Sequence, residues 1–197
     1  MQAWLALGWG VVLAWLASAL LPERALRLRR GMSVVSVLWA FLPGEASFAY
    51  WLGLPFHAPS VVAVLWCALA LKDRLRIPPV VPLGPVPFPP VIWWLMAVLM
   101  GLGWMLLLDT LALLPFEMYA WGFGPAVLAL AALVGLVPWV LQRQGAPRFQ
   151  PVMWVPGVAV ALFAALRLPT GNVWDALLDP LLWVYLHILL WRFRPTA

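Results

Sequence analysis

Between Gly31 and Leu71 the chain carries a single formal charge, Glu45. One membrane-spanning helix needs about 20 apolar residues, so this stretch is about twice too long for one crossing. It must fold back on itself, and Gly53-Leu54-Pro55 is the natural turn, because glycine and proline punctuate helices. Composition generalises the constraint: 65% of the 197 residues are hydrophobic, 10% are charged and mean hydropathy is +0.98. A soluble domain carries roughly 25% charged residues. So little polar surface cannot clothe a water-facing fold, and a lipid bilayer is the expected solvent.

Apolar runs bounded by charged or turn-forming residues predict an all-α, polytopic membrane bundle of about seven helices, forming a single domain over 1–197. The spans are placed at 3–21, 32–52, 56–71, 91–114, 118–141, 152–166 and 176–191. A connector at 78–90, rich in proline and free of charge, favours an extended strap over helix. The first run ends in Ala17-Ser18-Ala19, which has the look of a signal-peptide cleavage site. Its basic cluster follows the apolar run instead of preceding it, so a retained helix is expected, with its N-terminus outside the cytoplasm.

The basic residues test the alternation of these spans. If Arg24, Arg27, Arg29 and Arg30 are cytoplasmic, so are Lys72, Arg74, Arg76, Arg143, Arg148, Arg192 and Arg194, and Arg167 alone of the 12 lies outside. Retention of Lys and Arg in short cytoplasmic loops is the normal rule, and it places the C-terminus inside. It also explains the net charge of +5 and pI near 10.4 without nucleic acid as a partner. The lone Cys67 excludes an intramolecular disulfide, and no Cys/His spacing suits zinc. No metal or cofactor is expected.

The polar residues able to carry chemistry gather on the opposite side. Glu45 follows a Pro43-Gly44 break, where it faces either a cavity within the outer leaflet or the water beyond it. His57 is a candidate proton relay or cation ligand beside Glu45 or Glu117, or else a turn histidine. Asp109 and Glu117 flank the next outer turn, while Arg167 and Asp175 flank a later one. Together Glu45, His57, Asp109, Glu117, Arg167 and Asp175 form a candidate outer-face polar cluster. Asp179-Pro180 reads as a helix N-cap followed by proline at the first helical position.

Serine-hydrolase, zinc-protease and phosphate-loop signatures are all missing from the sequence. Three roles stay open. The chain could be a non-catalytic subunit or assembly factor of a complex in a bacterial inner membrane, with lipid and other membrane subunits as partners. It could be a small transporter with an outward-facing acidic cavity. It could be an intramembrane enzyme acting on a lipid at the outer face.

Overall fold

The computed structural model describes residues 2–76, 90–141 and 150–192, and every regular element among them is helical. The helices are α1 (Gln2–Leu20), α2 (Leu26–Ala40), α3 (Phe48–Phe56), α4 (Val61–Arg74), α5 (Pro90–Thr110), α6 (Met118–Trp121), α7 (Pro125–Leu141), α8 (Gln150–Leu166), α9 (Val173–Leu177) and α10 (Pro180–Arg192). α5, α7 and α10 each open on proline, whose fixed φ and missing N–H suit the first helical position. The connector expected at 78–90 lies outside the described residues except for Pro90, as do Arg143, Arg148 and Arg194.

Three of the expected spans are broken. The stretch 32–52 is not one helix: α2 stops at Ala40, a 3-10 turn follows at Gly44–Ala46, and α3 begins at Phe48. Pro43 supplies no backbone donor and Gly44 takes φ +56, so the helical ladder cannot continue through them. α2 also starts earlier than expected, taking Arg27, Arg29 and Arg30 into its first turns. The stretch 118–141 divides into α6 and α7 around Gly122 and Gly124, and 176–191 divides into α9 and α10 before Pro180.

The chain forms two compact units, 1–87 and 88–197. In the first, α1 is the centre, packed against α2, α3 and α4. Trp9, Val12, Ala40, Ala49 and Cys67 form its core. Gly8 lets Pro59 and Val64 come close, and Gly10 does the same for Ala40. Ser47 caps α3 by accepting from Ala49 N, and its hydroxyl donates back to Ala40 O at 2.8 Å, stapling the two halves of the broken span.

In the second unit α7 packs on α8, α5 on α10, and α9 on α8. A Cβ at Gly135 would stand 3.2 Å from Gly157 N, so the α7 and α8 backbones meet where side chains are smallest. A Cβ at Gly101, by contrast, would face open space. Replacing Gly135 with Ala forces two backbones apart and should cost about 1–3 kcal/mol. Thermal unfolding of the purified protein in detergent should therefore fall for Gly135→Ala and hold for Gly101→Ala.

Candidate functional site

The six polar residues gathered by sequence are divided between the two units. Glu45 and His57 belong to the first unit, and Asp109, Glu117, Arg167 and Asp175 to the second. Glu45 sits exposed in the 3-10 turn, where its backbone carbonyl accepts from Trp51 Nε1 at 2.8 Å. His57 is exposed at the end of α3 with φ +56, and its carbonyl accepts from Trp9 Nε1 at 2.9 Å. In both residues the main-chain carbonyl ties down a turn.

In the second unit the structure joins Asp109 and Asp175 through Tyr119, a residue that sequence reading passes over. Tyr119 N donates to Asp109 Oδ2 at 2.7 Å, and Tyr119 Oη donates to Asp175 Oδ2 at 2.7 Å. Thr170 Oγ1 donates to the same Asp175 oxygen. Beneath them Asn172 is fully buried: its Nδ2 donates to Tyr119 O at 2.9 Å and its Oδ1 accepts from Trp174 N at 3.0 Å. Trp174 Nε1 donates to Met118 O and Val173 N to Gly122 O, both at 3.0 Å. Gly122 is required here, since a Cβ would collide with the Asn172 side chain. The result is a lock in which the α6 segment is bound to α9 and to the loop before it.

Tyr119 lies in a four-residue turn separate from the long apolar helices. Its hydroxyl acts as a donor to Asp175. Glu117 and Arg167 stand apart from this lock. Glu117 is exposed at the N-cap of α6 and makes no side-chain cap bond. Arg167 takes φ +54 and lays its guanidinium 5.6 Å from the centre of the Phe163 ring.

Asp109, Tyr119 and Asp175 face a cavity of about 400 Å³ whose remaining walls include Leu106, Leu107, Leu178, Asp179 and Trp183. That volume falls within the range of about 300–1,000 Å³ typical of small-molecule sites. Asp179 caps α10 by accepting from Leu182 N at 2.8 Å, as its Asp-Pro sequence predicts. Trp183 donates from Nε1 to Met100 O at 3.2 Å and covers Gly103, tying α10 to α5. Three carboxylates and no basic side chain line this space, so it suits positive charge over negative. Among the described residues no group of three or more His, Cys, Asp and Glu side chains is placed to hold a metal ion.

Of the residues missed by sequence, Asn172 carried a signal, because Asn directly before an apolar helix is a strong N-cap. Tyr119 carried none, since its partners lie 10 and 56 residues away. No protein-family model, curated protein or solved structure matches this chain.

Losing the buried Asn172 amide leaves Tyr119 O without its donor, at a cost of about 1–3 kcal/mol. Asn172→Ala should melt well below wild type, and Glu117→Gln should match it.

Proposed function

We propose that this chain is a non-catalytic subunit or assembly factor of a membrane complex. It crosses a bacterial inner membrane about seven times, with its N-terminus outside and its C-terminus in the cytoplasm. The observation that carries the non-catalytic reading is the use made of the outer polar side chains. Asp109, Tyr119, Thr170, Asn172 and Asp175 bond to one another and to the main chain, and so shape two turns. Glu45 and His57 contribute backbone carbonyls to turns of their own. Meanwhile the helix flanks carry exposed apolar side chains, among them Trp94 at 72% and Trp191 at 75%. Such surfaces suit lipid or an apolar partner.

The membrane reading draws on two helices, Gln2–Leu20 and Ile92–Thr110, that are long and apolar enough to cross a bilayer. Only 33% and 22% of their most apolar windows are buried, whereas the core helix of a soluble protein would be mostly enclosed. The other helices are shorter than about 20 residues. Pairs such as α2 with α3 and α6 with α7 would cross as broken helices, whose freed backbone groups are bonded by side chains.

A second reading rests on the cavity beside Trp183. With carboxylates, a phenol and an indole on its walls, it would hold a small organic cation, as a transporter's outward-facing site would.

Two measurements separate these readings. Purification from native membranes in mild detergent, followed by intact-complex mass spectrometry, should retain stoichiometric partner proteins. A lone chain holding a metabolite would sink the subunit reading, and a thermal shift with tetraalkylammonium that is abolished in Asp109→Asn would favour the cavity. For topology, single cysteines introduced at Glu117 and at Arg27 in a Cys67→Ala background should be labelled from opposite sides of intact cells. Labelling from one side would remove the alternation.

A further inference from the structure

All of the protein's net charge resides in two short segments. Residues 21–30 and 72–76 hold seven basic side chains against Glu23 and Asp73, and the rest of the chain is balanced, five against five. The fold brings these segments together. α1 leads through the corner at Pro22 into α2, and α4 ends at Arg74. Arg30 Nη2 then donates to Leu75 O at 3.0 Å, across 45 positions of sequence.

Arg29 builds the platform. It is buried, and its guanidinium donates to Leu21 O from Nε at 3.2 Å and from Nη2 at 2.7 Å, holding the end of α1 against α2. That leaves Arg24, Arg27, Arg30, Lys72 and Arg76 exposed at the same end of the unit. Beside them stand bare apolar side chains: Leu20 is 85% exposed, Leu28 53% and Met32 41%. A nucleic acid or an acidic soluble peptide would have no use for that apolar border. A phospholipid uses both parts, with phosphate on the guanidinium groups and acyl chain along the helix flank.

We propose that this end of the first unit is a binding surface for anionic phospholipid headgroups. It rests on the membrane reading above, and adds to it a selectivity between lipids. Arginine supplies planar, paired donors that match phosphate oxygens, and convergence of two segments gives a surface that neither has alone. Each basic group close to an anionic membrane surface adds about 1 kcal/mol, or roughly fivefold in affinity.

The full chain, purified in detergent micelles doped equally with phosphatidylglycerol and phosphatidylcholine, is examined by native mass spectrometry. Phosphatidylglycerol should be retained in preference. The preference should fall roughly fivefold in Arg27→Gln, again in Arg27→Gln/Arg76→Gln, and not in Arg192→Gln, which lies in the other unit. Equal retention of the two lipids by wild type, or an unchanged preference in the double variant, overturns the proposal. So does displacement of phosphatidylglycerol by single-stranded RNA, which would reassign the surface to nucleic acid. Flotation with pure phosphatidylcholine vesicles after alkaline washing reads insertion separately. Failure there overturns the membrane reading itself, whereas insertion without lipid preference overturns only this proposal.

Discussion

Helices interrupted by glycine and proline leave backbone carbonyls without partners, and in an apolar setting each must find a donor. This chain answers mainly with tryptophan. Trp4 donates to Pro59 O, Trp9 to His57 O, Trp39 to Ala46 O, Trp51 to Glu45 O, Trp174 to Met118 O and Trp183 to Met100 O. Five of these six carbonyls lie at or beside a helix break. An indole suits the task because it presents a large apolar body and a single donor, so it satisfies a carbonyl without bringing a second polar atom that needs a partner. The turns at 43–47 and 57–60 depend on these bonds for their shape, and so does the register of α1 against α3 and α4.

The same requirement explains why the polar residues of the second unit are concentrated where they are. The chain between α5 and α7 contains Pro115, Gly122 and Gly124, and only four residues of it are helical, in α6. Its carbonyls at Met118, Tyr119 and Gly122 are taken by Trp174, Asn172 and the Val173 amide. Asp109 and Asp175 then take the two donors of Tyr119. A loop that would otherwise carry unsatisfied groups becomes a rigid wall of the cavity. These bonds hold the two carboxylates at its edge. They contribute negative potential to the space they border.

Sequence made the all-helical class legible, because long apolar runs bounded by charged or turn-forming residues read as helices. The start of α1, the end of α8 and the cap at Asp179 follow from local signals, and all three stand close to where those signals put them. Continuity within the spans was not legible. Pro43-Gly44 and Gly124-Pro125 can be absorbed in a bent helix or can break it, and the outcome depends on which donors reach the freed carbonyls: Trp39 and Trp51 from 7 and 6 residues away, and Asn172 from 53. The candidate site divides along the same line. Asp109 and Asp175 were visible as outer acids, but the residue that joins them, Tyr119, is distinguished only by its three-dimensional neighbours. Trp4, Trp51 and Trp174 are likewise marked out as donors to turns only by the fold.

The two kinds of charge are used in opposite ways, and the contrast bears on how the molecule would work. The acidic side chains Asp109, Asp175 and Asp179 accept hydrogen bonds from backbone amides or neighbouring hydroxyls, so their charge is bound into the fold. Of the basic side chains at 24–30 and 72–76, Arg29 is the buried one, and most of the others face outward. A guanidinium turned to solvent keeps its affinity for phosphate or carboxylate, whereas a carboxylate already holding two donors has given up much of its own. In the proposed orientation Asp109, Asp175 and Asp179 therefore lie toward the outer side already bonded within the second unit. The cytoplasmic end of the first unit is the part left to meet something else. Selection for topology alone would be met by cations anywhere in the inner loops. Their gathering by Arg29 and the Arg30–Leu75 bond goes beyond that requirement, and it makes one surface out of charges that would otherwise stay on two separate segments.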